Sequence, residues 1–277
     1  LREKFYIKII RLILLSIFLI FSVFPLVWIF LTSIKPADEV YTFPVRYFPR
    51  EPTLEAYRYL FSFANFGVYF KNSVMVSMTA SIVSTYFALL SGYVLARKKF
   101  KFKKLLILAL FFAQMIPSYL IMIPQYSMFS KLGLIDKLTG ITIVYMGIGA
   151  SFSTIMARGF FLRIPRSLEE AAMIDGCSEV SALFRITVPL MLPGISAVFS
   201  FSFVNTWNEL FTAVLFLNSD RKMTVPVALY SFISKAGIKW NVLSAGLVVA
   251  LLPTMLVFAF AQRFIIQGLT QGSVKEV

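Results

Sequence analysis

The chain has 277 residues, 58% of them hydrophobic, with a mean hydropathy of +0.80, no histidine, one cysteine and a formal net charge of +14. That is far too apolar for a water-soluble domain of this length and specifies an all-α membrane protein. The basic excess would suggest nucleic acid in a soluble chain, but here the bases fall mostly in short segments between apolar runs, where they set orientation, so no nucleic-acid partner is expected. Cys177 has no second cysteine to pair with and, without histidine, no Cys/His metal site forms; it reads as a small apolar filler.

In chain order, residues 1–11 carry Arg2, Lys4, Lys8 and Arg11 ahead of an apolar run, 12–31, of about the ~20 residues that cross a bilayer core. A cleaved signal peptide is the rival reading, but the run is too long and no small-x-small cleavage site follows it. Leu1 in place of methionine reads as an alternative start or a trimmed terminus. Residues 32–70 are polar and broken by Pro36, Pro44, Pro49 and Pro52, which gives an external loop with a short helix around Leu54 to Leu60. The second span, 72–96, places Ala80, Ser84, Ala88, Gly92 and Ala96 at every fourth position, a stripe that admits close backbone packing. Arg97, Lys98, Lys99, Lys101, Lys103 and Lys104 follow with no acid among them, which fixes this end on the cytoplasmic side.

The third span, 105–123, contains Pro117 and ends at Pro124, so its hydrogen-bond ladder lacks an amide and kinks. Such a kink serves a gate or simply fits a crowded neighbour. The fourth span, 139–160, holds Gly147, Gly149, Ala150, Ser151 and Ser153, and its weak hydropathy implies burial in protein. A polar segment, 161–190, separates it from a fifth span, 191–217. An external loop from Asn218 to Trp240, a sixth span, 241–264, and a tail, 265–277, complete the chain.

Within the polar segment, Ser167 and Glu170 have the spacing of a capping box, which predicts a helix starting at Ser167. Ala171 and Ala172 allow close approach by a partner, Glu169, Glu170 and Asp175 offer charge at the edges, and Gly176 can take the positive φ that stops the helix. A second turn, Ser178 to Ile186, is expected to end at Pro189. Glu170-Ala171-Ala172, three residues, Gly176, nine residues, Ile186, one residue, then Val188-Pro189 resembles the EAA loop of the membrane subunit of binding-protein-dependent ABC importers; the usual leucine before the proline is Val188 here. The resemblance implies the type I ABC importer permease fold with six transmembrane helices. It makes 161–190 a coupling loop in which Ser167, Glu169, Glu170, Ala171, Ala172, Asp175 and Gly176 dock on an ATP-hydrolysing subunit. The competing reading is an amphipathic linker resting on the bilayer surface.

Orientation follows from charge. With the N-terminus in the cytoplasm, the inside bases are Arg2, Lys4, Lys8, Arg11, the six of 97–104, Arg158, Arg163, Arg166, Arg185, Arg263 and Lys275, more than half of the 27. Both termini and the EAA segment then face the cytoplasm, although Arg221, Lys222, Lys235 and Lys239 lie outside.

In the fifth span, Asn205, Asn208, Glu209 and Thr212 are expected on one helical face near mid-membrane, where polar groups face a cavity or a partner. Asn205 and Asn208 either bind a hydroxyl-rich solute or bond neighbouring helices; Trp207 offers a flat surface to a sugar ring; Glu209 is better suited to tying helix ends. Trp207-Asn208-Glu209 and the run from Gln262 to Lys275 further resemble the carbohydrate branch of these importers, in particular the shorter, maltose-type subunit. That resemblance implies a heterodimer with a paralogous permease, two ATPase subunits and an external solute-binding protein touched by Arg221, Lys222 and Lys235. In such systems most sugar contacts belong to the other permease. Related solutes such as glycerol phosphate or a polyol remain compatible, as does, more distantly, an ion-coupled secondary transporter. No G-x-x-x-x-G-K-[ST] loop is present, so ATP and Mg are expected in the partner, with no cofactor in this chain and no enzyme chemistry of its own.

Overall fold

The computed structural model describes residues 5–62, 64–234 and 237–272. The fold is helical apart from a two-stranded antiparallel ribbon, β1 (Ile233–Ser234) and β2 (Gly237–Ile238). Among the described residues, three helices are long and apolar enough to cross a membrane: α1 (Phe5–Ser33), α3 (Phe66–Arg97) and the part of α14 (Trp240–Gly272) up to Phe264. Three bent pairs bring the number of possible spans to six: α4 (Lys103–Met115) with α5 (Ser118–Lys131), α6 (Leu138–Ile148) with α7 (Ala150–Arg163), and Glu179–Leu190 with α11 (Leu192–Trp207).

The bends have local causes. Between α4 and α5 the chain turns by 95°. Ile116 precedes a proline and is extended, at φ −77° and ψ 116°, because the proline ring disfavours the helical conformation there. The expected end at Pro124 is not found: α5 runs on through it to Lys131, since a proline removes one hydrogen bond and kinks a helix but need not stop it. Gly149 separates α6 from α7 at 47°, so the fourth span is broken too. The expected single helix over 191–217 is also broken. Its first part ends at Trp207, Asn208–Leu210 are non-helical in the middle, and α12 (Phe211–Phe216) follows.

The chain forms two compact units. The first comprises residues 1–67 and 228–252. In it α1 buries only Thr32 and Ser33, so nearly all of this apolar helix needs lipid or another chain to cover it. The loop expected at 32–70 holds a 3₁₀ turn, Glu39–Tyr41, and α2 (Glu55–Ser62), fastened by a Ser33–Tyr57 hydroxyl contact of 2.8 Å and by the Thr53 amide donating to the Ile34 carbonyl at 2.9 Å. Leu60, Phe66, Ala228 and Ala245 are fully or almost fully buried here.

The second unit comprises residues 68–227 and 253–277. The small-residue stripe on α3 does what its spacing suggests. Ala80, Ser84 and Ala88 are buried, the Ser84 hydroxyl donates to the Met146 carbonyl at 3.2 Å, and at Gly92 a Cβ would lie 2.8 Å from Ala157 Cβ and 2.9 Å from the Arg158 nitrogen. A second close approach joins α11 to α7, where a Cβ on Gly194 would meet the Phe160 ring at 2.7 Å. Between α5 and α6, Asp136 accepts the amides of Asn218 and Ser219 at 3.0 and 2.9 Å and the Lys222 ammonium at 2.8 Å. These bonds, led by that of Lys222, hold its carboxyl well below the usual carboxylate range.

Gly92→Leu is therefore expected to destabilise the detergent-solubilised protein by about 1–3 kcal/mol or more, the cost of an overpacked contact, read as a lower unfolding midpoint. Gly159→Ala, whose added carbon meets nothing within 4 Å among the described residues, should hold the midpoint or raise it, because alanine is favoured over glycine in a helix interior by about 0.5–1 kcal/mol.

Candidate functional site

A cavity of about 660 Å³ lies in the second unit where the helices break. Ile116 and Ser118 come from the α4/α5 corner, Gly149 and Ser151 from the α6/α7 corner, and Asn205 and Glu209 from the end of α11. Each break frees backbone groups that a continuous helix would consume, and a polar cavity is where such groups are tolerated at membrane depth.

Asn205, Asn208, Glu209 and Thr212 do not share one helical face, because α11 stops at Trp207 and Asn208 is its C-cap. Asn205 lines the cavity, with its amide donating to the Phe201 carbonyl at 2.8 Å. Asn208 donates in the same way to the Val204 carbonyl at 2.9 Å and is not among the lining residues. Trp207 is buried, stacked on Phe203 at 5.7 Å between ring centres and edge-on to Phe70, so it offers no face to a solute. Its aromatic character within an apolar run carried no mark of that inward turn.

Glu209 ties helix ends, the role favoured for it by sequence. One carboxylate oxygen accepts the Thr212 amide and hydroxyl, both at 3.0 Å; the other accepts the Ala213 amide at 3.2 Å and the Tyr145 hydroxyl at 2.8 Å. An anion at the start of α12 thus satisfies amides that the helix leaves unpaired. The aromatic surface of the cavity comes instead from Phe152 and Phe201, stacked at 4.1 Å, and its further amides from Gln114 and Gln125. Polar residues inside apolar runs were the available signal for the two glutamines. Nothing in the sequence paired the two phenylalanines.

The second candidate is the segment after α7. Helix α8 (Ser167–Ile174) begins at the expected residue, but the capping box does not form. Arg166 occupies the N-cap with helical φ and ψ, no side chain caps the helix, and Glu170 pairs with Arg166 at 3.1 Å on the exposed surface. A Ser167 already inside the helix cannot reach the amides that a cap would serve. The C-terminus follows expectation. Gly176 has φ +92° and its amide donates to Met173, while the Cys177 amide donates to Ala172, the paired bonds of a Schellman ending.

Glu169 is not an edge charge, because it points inward. Its side chain is 6% exposed and forms a 2.8 Å ion pair with Arg97, itself 7% exposed, at the end of α3. Arg97 also donates to the Ile164 carbonyl at 2.9 Å, and the Tyr93 hydroxyl donates to Glu169 at 3.2 Å. Lys98 reaches Glu179 at 2.5 Å and, by that bond first, holds its carboxyl below the ordinary value. The outward side of the segment carries Leu168, Glu170, Ala171, Ile174, at 87% exposure, and Asp175, with Ala172 half-buried.

Ser178 caps α9 (Glu179–Ala182) by accepting the Ser181 amide at 3.2 Å. The chain does not stop at Pro189. A π-turn, Leu183–Thr187, leads into α10 (Val188–Leu190), whose first turn has no use for the amide that proline lacks, and the break comes at Met191. Of the three bases expected to meet a binding protein, Lys222 is engaged by Asp136, Arg221 is exposed, and Lys235 lies outside the described residues.

Paired broken helices around a cavity lined by both polar and apolar side chains, with a polar helical segment clamped beneath them, fit a polytopic membrane permease. The chain belongs to the family of binding-protein-dependent transport system inner membrane components, whose family model matches residues 84–271. It is 33% identical over 268 residues to the sulfoquinovosyl glycerol transport system permease protein SmoH of Agrobacterium fabrum, covering 97% of this chain and 94% of that one. It is 33% identical over 254 residues to the diacetylchitobiose uptake system permease protein DasC of Streptomyces coelicolor, covering 91% and 92%. A chain from the crystal structure of a bacterial ABC transporter involved in the import of the acidic polysaccharide alginate has the same fold. It superposes with a TM-score of 0.80 at 23% identity, covering 95% of this chain and 98% of that one.

Arg97→Met should destabilise the solubilised protein by about 3–5 kcal/mol, because it leaves the Glu169 charge buried without its partner. The double variant Arg97→Met/Glu169→Met is expected to recover most of that loss, and denaturant unfolding of the three proteins measures both changes.

Proposed function

We propose that this chain is one of two paralogous permease subunits of an ATP-driven importer, moving a di- or oligosaccharide delivered by an external binding protein. The observation that carries the sugar assignment is the cavity itself, which is lined both by the Phe152–Phe201 pair and by Asn205, Gln114 and Gln125. An aromatic face suits the apolar side of a sugar ring, and amides suit its hydroxyls. Membership of the family and the relatives named for glycosides support the same class.

In this reading the permease hydrolyses nothing. ATP and Mg act in two separate subunits, which dock on the outward side of α8 through Glu170, Ala171, Ala172, Asp175 and the turn at Gly176, while Ser167 starts the helix. Both termini and α8 lie in the cytoplasm, the orientation that the distribution of bases supports. Because Glu169 is held by Arg97, a displacement of α8 moves α3. The close contacts of α3 with α7 carry that motion to the Gly149 corner of the cavity, which supports alternating access by shear of packed helices. Asn205 and Glu209 then border the path, Asn208 and Trp207 support its wall, and Arg221 is the remaining described contact for the binding protein.

In the reconstituted transporter, Phe201→Ala is expected to slow oligosaccharide uptake up to about tenfold, the worth of one aromatic contact. The affinity of the binding protein for its solute should not change. Uptake of glycerol phosphate or a polyol in preference to oligosaccharides would overturn the sugar assignment. Glu170→Ala should weaken co-purification of the ATPase and uncouple hydrolysis from uptake; unchanged pull-down with unchanged uptake would make the segment a passive linker.

A further inference from the structure

The first unit contains a cavity of about 390 Å³ that the transport mechanism does not use. It is formed by the end of α1, from Trp28 to Thr32, the turn that follows and the start of α14, from Trp240 to Leu247. Its walls are mostly apolar, with a tryptophan from each helix, Trp28 and Trp240. The polar exceptions are Thr32, Lys35 and Ser244, all at least nine-tenths buried.

Lys35 is 3% exposed. Of its three ammonium protons, one goes to the Arg46 carbonyl at 2.6 Å, and the Nζ sits 4.8 Å from the centre of the Trp28 ring. The neighbouring carboxylate, Glu39, is already engaged: it accepts the Arg50 amide at 3.0 and 3.2 Å and lies 3.6 Å from Arg46. Burial lowers the pKa of Lys35, and Glu39 only partly opposes that effect. The Thr32 hydroxyl is buried with no hydrogen-bond partner among the described residues. A buried ammonium whose neighbouring carboxylate is already shared with Arg46 and the Arg50 amide is under-compensated, and a buried hydroxyl without a partner among the described residues carries its full desolvation cost.

We infer that this cavity is a binding site for one anionic phospholipid, with its phosphate on Lys35 and Thr32 and an acyl chain between Trp28 and Trp240 towards Leu243 and Leu247. The anion is what the ammonium lacks, and the apolar walls are what a free phosphate would leave uncovered. The site lies at the end of a membrane-crossing helix, between two tryptophans, the residue type that gathers at the headgroup level of a bilayer. Basic pockets between membrane helices on the cytoplasmic side hold anionic headgroups by electrostatic attraction, and the same attraction applies to this pocket at the other end of α1.

The test uses the whole transporter with its partner chains, purified in a mild detergent and stripped of lipid. Phosphatidylglycerol or phosphatidylcholine with the same acyl chains is titrated in, and bound lipid is counted by native mass spectrometry. Wild-type protein is expected to retain phosphatidylglycerol in preference to phosphatidylcholine. Lys35→Met should lower that retention by about tenfold, the cost of one charge-assisted hydrogen bond. Ser244→Phe, which fills the cavity and leaves the lysine in place, should lower it as well, whereas Lys35→Arg should keep it.

Equal retention of the two lipids by the wild type would overturn the proposal, including the case in which a partner's side chain fills the cavity. So would phosphatidylglycerol retention unchanged in both Lys35→Met and Ser244→Phe, or competition by glycerol 3-phosphate as strong as by the intact lipid, which would mark a site for a soluble anion. Should Lys35→Met fail to assemble, the wild-type lipid preference and Ser244→Phe decide the matter.

Discussion

A charge withdrawn from water must keep its partner, and the Arg97–Glu169 pair imposes that constraint on the second unit. Both side chains are more than nine-tenths buried, so α8 cannot move away from the end of α3 without leaving two charges unpaired in a poorly solvated place. The surrounding bonds reinforce the pair. Arg97 also holds the Ile164 carbonyl at the end of α7, Tyr93 touches Glu169, and Lys98 restrains Glu179 at the start of α9. The short helices of the segment, too small to be stable alone, thereby become one body with a membrane-crossing helix.

The opposite principle governs the cavity. In the proposed reading the cavity borders a transport path, which needs polar groups at membrane depth, whereas a continuous helix conceals its own within its ladder. This chain breaks its helices at Pro117, at Gly149 and at Asn208–Leu210, and the three breaks meet around one space. The freed groups are partly satisfied locally, most fully by Glu209, whose carboxylate takes the amides at the start of α12 and the Tyr145 hydroxyl. The stiffness below the cavity and the discontinuity around it are complementary, since a clamp moves something only where the chain beyond it is able to yield.

What the sequence disclosed follows the same division. Long apolar runs, a stripe of small side chains at every fourth position and a glycine at a helix end are local patterns with one physical solution each, and α1, α3, α14 and the Gly176 turn follow from them. The Pro117 corner was legible for the same reason, as a missing amide. The Gly149 and Asn208 breaks were not, because glycine and asparagine are tolerated within helices and only tertiary context makes them corners. Glu169 and Glu170 are adjacent and chemically alike; that one is buried and the other exposed depends on Arg97, 72 residues away, which no local pattern reports. Trp207 misled because an aromatic ring in an apolar run fits a core as well as a binding surface, and here Phe203 and Phe70 cover it.

The account stands on α8 and α3 moving as one body while the cavity changes shape. Spin labels on the native Cys177, in the turn that ends α8, and on Lys99→Cys, two residues past the end of α3, in the assembled transporter with no other reactive cysteine, measure the separation of those two helix ends. The same distance distribution in the nucleotide-free and ATP-trapped states is the predicted result. A separation that lengthens or broadens when nucleotide binds would mean that the segment slides on α3, contradicting the clamp.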